Sequence, residues 1–278
     1  SSAEPLLRST NSAFMATLSI ISSKFTDSAS HCIELQGSIE LNIEDVETSN
    51  CNSDALWVQS SLLAIDGMVA EDTIRISGVE GEIHDLVGTD VVVNNVDGFT
   101  MSGLTLNSIS GSDNRELNIH DATITGAPAI DLDNTAGDLS NLAIDCGGSG
   151  TGLTAHHGRA SSSITVSDST ITSCTKGIDL HTDGESAPMV LNNVAIDSMV
   201  AISSDGFDLE VSQGTLNGSL DVDSAIANLY DVAPLSQSTS SGEITIWSTH
   251  IFDVRLEGNP LSANLLLSVN DGQLWEGT

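Results

Sequence analysis

The chain has 278 residues, of which 39% are hydrophobic, so it is long enough for a buried core and too apolar for a disordered protein. Its 39 acidic residues face only 7 basic ones, giving a formal net charge of -32. This charge excludes nucleic acid as a partner, because no positive stripe is left for phosphate contacts. No apolar run reaches membrane-spanning length, so direct membrane insertion of this segment is not expected.

Three stretches follow one another along the chain. Residues 1–30 are predicted to be an N-terminal cap or a first coil, because terminal units of repeat proteins are atypical. Residues 31–233 carry a regular pattern of short apolar runs, and residues 234–278 are predicted to form irregular C-terminal coils of the same single domain. The chain begins at SSAEP without an initiator Met, which indicates a mature protein or a segment of a longer one.

Short apolar tetrads recur about every 24 residues, a period that is typical of solenoid repeats. Apolar and polar residues alternate within each tetrad, as in a strand that buries one face. A single unit of this size cannot bury its apolar face, whereas about ten stacked coils can, so the sequence predicts an all-β, right-handed parallel β-helix. The tetrads are CIEL at 32, ALWV at 55, GLTL at 103, AIDL at 129, GLTA at 152, GIDL at 177, AISS at 201 and AIAN at 225, with one more expected within residues 73–80.

An Asn or Asp residue also precedes a short apolar strand in most units. Such recurrence is easily taken for a functional motif, but Asx side chains satisfy backbone groups in turns. We therefore predict a structural ladder formed by Asp45, Asn95, Asp121, Asn141, Asp168 and Asn193.

The combined marker N/D-x-x-I…G-I-x-L, over about residues 30–230, resembles the repeats of the pectate-lyase-like superfamily of right-handed β-helices. It is more loosely similar to acidic, Asp/Thr-rich β-helix repeats of archaeal and bacterial surface proteins. The resemblance implies an architecture and, for an enzyme, a polysaccharide lyase or glycoside hydrolase. However, the NTD, DD, GHG and RIK signatures of such hydrolases are missing, and HHGR at 156–159 is only superficially similar to GHG.

The period also predicts which side chains share a face. The second and fourth tetrad residues point inward, so the third and fifth residues of successive coils form outward rows about 4.8 Å apart. These rows bring imidazoles and carboxylates together, as an exposed polar face, a metal or ligand groove, or a catalytic site. The candidate groove residues are Asp131, Asp133, His156, Asp179, His181 and Asp205.

Carboxylates in this groove suit Ca²⁺, whereas imidazole with carboxylate suits Zn²⁺; calcium is the first expectation, and no cofactor is required. Arg159 is a candidate contact for a substrate carboxylate, although in so acidic a chain a pair with a nearby Asp is the favoured arrangement. It is expected to lie in a loop together with His157. Trp57, in an outward position, is a candidate platform for a sugar ring.

Four cysteines permit two disulfides, with buried free thiols as the alternative. The coil spacing favours the pairs Cys32–Cys51 and Cys146–Cys174. Disulfides indicate an extracellular or cell-surface location. We therefore expect an extracellular structural, adhesive or ligand-binding module without catalytic activity, with carbohydrate or other surface proteins as partners. The alternatives are a carbohydrate-active β-helix enzyme and a metal-binding surface module.

Overall fold

A computed structural model describes residues 4–59, 62–158, 163–184 and 187–248 and, nearer the C terminus, 255–256, 259–260, 265–268 and 274–277. The described residues form strands and no helix. This part of the chain therefore contains no helix that is long and apolar enough to cross a membrane. Parallel strands stack as a β-solenoid of about 11 turns, which confirms the predicted parallel β-helix class.

The solenoid is one 23-stranded sheet. Its strands are β1 (Leu7–Ile21), β2 (Lys24–Ser28), β3 (Ile33–Cys51), β4 (Leu56–Gln59), β5 (Leu62–Ala70), β6 (Ile74–Ser77), β7 (Glu80–Gly88), β8 (Asp90–Asn94), β9 (Asp97–Leu106), β10 (Ser108–Ser112), β11 (Arg115–Ile124), β12 (Ile130–Asp133), β13 (Gly137–Asp145), β14 (Thr151–His157), β15 (Ile164–Ser167), β16 (Thr170–Thr182), β17 (Met189–Asn192), β18 (Ala195–Asp205), β19 (Leu209–Ser212), β20 (Thr215–Asp223), β21 (Ile226–Tyr230), β22 (Pro234–Thr239) and β23 (Glu243–Trp247).

Each coil contributes segments to three parallel ladders, which we name A, B and C in the order in which the chain passes through them. Ladder B includes 97–102, 115–120 and 137–140, and ladder C includes 104–106, 122–124 and 142–144. Ladder A carries the candidate groove. Its rungs are 7–10, 33–36, 56–59, 74–77, 91–94, 109–112, 130–133, 153–156, 178–181, 202–205 and 220–223.

Alternate residues of the ladders point inward and form one continuous apolar core. In β12, for example, Ile130 and Leu132 are buried, while Asp131 and Asp133 are exposed. The strand period explains this separation, since every second side chain faces the opposite side of the sheet. The acidic residues of a rung can therefore share one solvent-facing surface.

The corner between ladders B and C contains one residue per coil with a left-handed backbone conformation. Glycine adopts this conformation freely, and Asn and Asp tolerate it better than most residues. Neighbouring members also bond to each other, since Asn193 Nδ2 donates a hydrogen bond to Asp168 Oδ1 over 2.7 Å. The predicted structural role of the Asx residues is thus confirmed at this corner. Its members are Ser22, Asp45, Gly67, Asp85, Gly103, Asp121, Asn141, Asp168, Asn193, Gln213 and Asp231.

Asn95 departs from the predicted series because it lies at the corner between ladders A and B. Its φ is 54°, and its neighbours in the adjacent coils are Gly78, with φ 62°, and Asp113, with φ 54°. Both corners require a left-handed residue. An Asx residue before an apolar run therefore does not identify which corner it forms.

The 24-residue period is only partly correct. The tetrad at 103–106 pairs with 122–124 in ladder C, and the tetrad at 225–228 lies in ladder B beside 209–212. All three ladders bury alternate residues, so an apolar tetrad alone does not reveal its ladder. Between residues 56 and 112 the rungs of ladder A are closer in sequence than 24 residues and begin at Leu56, Ile74, Val91 and Ile109, which places the tetrad expected within residues 73–80 on ladder A.

The two ends of the chain differ in structure. Residues 7–28 pair with β3 and form a first coil, one of the two forms expected there. At the other end, β22 and β23 still continue the solenoid. The later strands differ from the expected irregular coils, because β24 (Arg255–Leu256) pairs antiparallel with β25 (Asn259–Pro260), and β26 (Leu265–Ser268) with β27 (Leu274–Gly277). By its contacts the chain divides into two compact units, Ser1–Trp247 and Ser248–Thr278.

Both predicted disulfides are present. Cys32 is bonded to Cys51, with Cα atoms 5.5 Å apart, and Cys146 is bonded to Cys174, with Cα atoms 4.9 Å apart. Each bond joins stacked coils and so reinforces the backbone ladders covalently.

Candidate functional site

Ladder A places His156 directly beside His181, with a carboxylate on the far side of each. The register is Asp133 opposite His156, His156 opposite His181, and His181 opposite Asp205. We call these four residues the histidine row. The adjacent row, two positions earlier in each strand, consists of Asp131, Thr154, Asp179 and Ser203.

A fifth residue, Asp183, is shared by the two histidines. Its Oδ2 lies 3.2 Å from His156 Nε2, and its Oδ1 lies 3.3 Å from His181 Nε2. The Nδ1 atoms face the outer acids, at 3.3 Å from Asp133 and 3.2 Å from Asp205. The imidazole rings are stacked, with centroids 5.2 Å apart and planes at 19°. Carboxylates and imidazoles therefore alternate along the whole site.

Two hydrogen bonds place Asp183 between the rings. The Asp183 backbone N–H donates to the carbonyl of His157 over 3.2 Å, and the Thr182 hydroxyl donates to the same carbonyl over 2.6 Å. They fold the start of the loop back over the preceding coil. The repeat pattern does not predict Asp183, because a residue outside the strands has no fixed place in the repeat. The available signal was Thr-Asp-Gly immediately after His181, a composition typical of turns.

His157 is not a loop residue, contrary to the sequence-based expectation. It is the last residue of β14 and is fully buried, with its ring centroid 4.9 Å from that of Phe207. The alternation of the strand explains the outcome, because a residue that follows an outward side chain points inward. The two adjacent histidines thus have separate environments, one in the core and one on the surface.

The acids of the adjacent row do not join the alternating row. Both Asp179 carboxylate oxygens accept hydrogen bonds from Lys176 Nζ, at 2.9 and 3.0 Å. Asp131 is exposed on the neighbouring coil. Beyond Asp205, the next rung presents Asp223. Hydrogen bonds from the Ser240 and Ser241 hydroxyls lower the pKa of Asp223 and so favour its ionised form.

The two candidate substrate contacts do not extend this site. Trp57 lies on ladder A at the other end of the solenoid, opposite Glu34 and Arg75, and its ring centroid is 5.1 Å from that of His31. Arg159 lies outside the described residues. Neither residue therefore bears on the geometry around His156.

The coils that carry the two histidines have longer connections between ladders A and B than the coils beside them. Six residues separate β14 from β15 and six separate β16 from β17, whereas three separate β12 from β13 and three separate β18 from β19. Loops on a rigid scaffold commonly carry binding residues. Asp183 is the first residue of one of these loops.

The side chains at the centre of the site could hold a metal ion. His156, His181 and Asp183 each offer one ligand atom, and these atoms all lie within 4.8 Å of one another. Comparison with family models, curated proteins and solved structures found no match. Strand pairing thus shows that the chain is a parallel β-helix with ionisable side chains on one face. The role of these side chains is inferred from their chemistry.

Proposed function

We propose that the chain is an extracellular, non-catalytic binding module of the parallel β-helix class, with its contact surface on ladder A. The alternating histidine row is the observation that carries this proposal. Its side chains come from successive coils, so the backbone ladder fixes their spacing, yet His156 is 39% exposed and His181 is 51% exposed. Rigid, ordered and solvent-facing ionisable groups are suited to recognising a ligand without refolding.

An extracellular setting is supported by the two disulfides, since such bonds persist in oxidising compartments. The net charge of -32 suits a soluble surface that resists self-association. The resemblance of the repeats further supports a placement in the pectate-lyase-like superfamily.

A binding role is favoured over hydrolysis by the partners of the acids. A glycosidase directs two carboxyl groups at opposite faces of a bound sugar, with room for the substrate between them. On ladder A the imidazoles occupy the space between Asp133, Asp183 and Asp205, while Lys176 holds Asp179. These acids face basic side chains of the same chain rather than an open cleft.

The test is capture of polysaccharides on a biosensor that carries the full chain with its disulfides intact. Retention of a panel of neutral and uronate polymers is compared between the parent chain and a variant in which the polar side chains of the adjacent row are replaced. We expect at least one polymer to be retained, with retention at least about tenfold weaker in the variant. The variant is Asp131→Asn, Thr154→Ala and Asp179→Asn, and the control on ladder B is Asn118→Ala with Asp138→Asn.

Two results would contradict the proposal. One is polymer retention that is as strong in the adjacent-row variant as in the parent chain, because the contact surface would then lie elsewhere. The other is turnover, seen as new absorbance of unsaturated uronates or as released reducing ends, because the chain would then be a lyase or hydrolase.

A further inference from the structure

We propose that the ligand of this site is a divalent transition-metal ion of the zinc type, bound by His156 Nε2, His181 Nε2 and the carboxylate of Asp183. The inference rests on the proposed binding function and names the chemical class of its ligand. Three protein donors leave an open position toward solvent, where a water molecule or a carboxylate of a partner can complete the coordination.

The outer carboxylates can hold both rings in the tautomer that binds a metal. When Nδ1 of each neutral imidazole is protonated and donates to Asp133 or Asp205, its Nε2 lone pair is free and points at Asp183. Carboxylate–histidine–metal arrangements orient their ligands in this way. The row therefore supplies both the metal ligands and the groups that hold them in the binding tautomer.

Asp183 already faces both rings at short range. His156 Nε2 is within hydrogen-bonding distance of Asp183 Oδ2, at 3.2 Å, and His181 Nε2 lies 3.3 Å from Asp183 Oδ1. One divalent ion satisfies both nitrogens and the carboxylate together.

The distances fit a tetrahedral ion. Bonds of about 2.0–2.1 Å to nitrogen and oxygen at tetrahedral angles place neighbouring donors roughly 3.3 Å apart. Each imidazole nitrogen lies at about this distance from one oxygen of Asp183, Oδ2 for His156 and Oδ1 for His181, and the three donor atoms all lie within 4.8 Å of one another. Calcium, the ion first expected from the acidic composition, prefers six to eight oxygen ligands, whereas imidazole favours zinc, copper and nickel.

The test uses the full chain without an affinity tag, stripped of metal with a chelator and titrated with Zn²⁺ in a calorimeter. We expect one saturable site whose occupation releases protons and raises the melting temperature. Co²⁺ is expected to give the intense visible absorption of a tetrahedral site. His181→Gln or Asp183→Asn should weaken the affinity by about 100-fold or more, and Asp205→Asn by about 10- to 100-fold, because the latter removes only the orienting carboxylate.

His120→Gln is the matched control. His120 is likewise on an outward strand position beside an acid, with Nδ1 3.4 Å from Asp121, but it lies on ladder B and outside the metal-ligand group. It should leave the affinity unchanged. Each variant is accepted only if its metal-free melting temperature matches that of the parent chain, so that loss of binding reports the site rather than the fold.

Three outcomes would overturn the metal inference: no saturable Zn²⁺ or Co²⁺ binding, equal binding by His181→Gln, or Ca²⁺ binding that displaces Zn²⁺ from the site. The proposed binding function fails on a separate readout, since the polymer assay replaces Asp131, Thr154 and Asp179 and leaves all three metal ligands in place. A chain that retains a polymer through the adjacent row but binds no metal would therefore refute only the inference made here.

Discussion

Replacement of Asp168, at the corner between ladders B and C, separates two contributions of the Asx ladder to stability. One is the side-chain hydrogen bond between coils, and the other is tolerance of the left-handed backbone conformation. In the structure Asp168 has φ 50° and accepts a hydrogen bond from Asn193. Alanine loses the bond, worth about 0.5–1 kcal/mol at an exposed site, and bears about 1 kcal/mol of left-handed strain that Asp partly avoids. We expect Asp168→Ala to lower the free energy of unfolding by about 2 kcal/mol, Asp168→Gly by about 0.5–1 kcal/mol, and Asp168→Asn by less than about 0.5 kcal/mol.

Urea unfolding followed by circular dichroism measures all three variants, and Thr170→Ala, at an exposed strand position two residues later, is the control. The informative result is the order of destabilisation, which should be largest for Ala, smaller for Gly and smallest for Asn. Equal destabilisation by Ala and Gly would show that the hydrogen bond alone matters and that the backbone conformation does not. An unaffected Asp168→Ala variant would refute the ladder as a source of stability.

Three further predictions concern other parts of the solenoid. Replacing both Cys146 and Cys174 with Ser should lower the free energy of unfolding by about 3–4 kcal/mol in urea, because the bond closes a loop with a sequence separation of 28 residues. Phe207→Ala should cost about 3–5 kcal/mol, measured in the same way, since Phe207 is fully buried against His157. The pKa of Asp121 is lowered from 3.8 by hydrogen bonds from Asn141 and then His120, so its ionised form stabilises the fold above the ordinary pKa of Asp. Asp121→Asn should therefore be less stable than the parent chain at pH 7, with the difference lost as the pH falls through the lowered pKa; a difference that persists in acid would contradict this cause.

The fold class could be predicted from the sequence because strand alternation and Asx corners are local properties. Inward residues such as Ile130 and Leu132 alternate with acids, and each left-handed corner restricts the residue that occupies it. Ladder membership could not be predicted in the same way. The tetrad at 103–106 buries its second and fourth residues like those of ladder A, and only strand pairing shows that it belongs to ladder C. The tetrad at 225–228 belongs to ladder B and has the opposite phase, since Ile226 is exposed and Ala227 is buried.

The candidate site was predictable where coil length is regular and not where it changes. Between 130 and 205 the coils are close to the assumed period, so the row through His156 and His181 follows from the spacing. Asp183 follows the last residue of β16, and strand spacing alone does not place a residue outside a strand between the rings of two coils. The burial of His157 follows from strand alternation continuing one residue beyond the expected start of the loop.

The recurring Asx residues and the residues of the candidate site differ in how they are distributed along the chain. The Asx residues recur in coil after coil, and their left-handed φ angles account for them as corners that any coil of this stack requires. His156, His181 and Asp183, by contrast, belong to two neighbouring coils only, and the loops of those coils are longer than the ones beside them. Exposed histidines add nothing to the packing of the solenoid, because their rings face water rather than the core. Residues that depart from the repeat, rather than those that recur in it, are therefore the better indication of the proposed metal ligands.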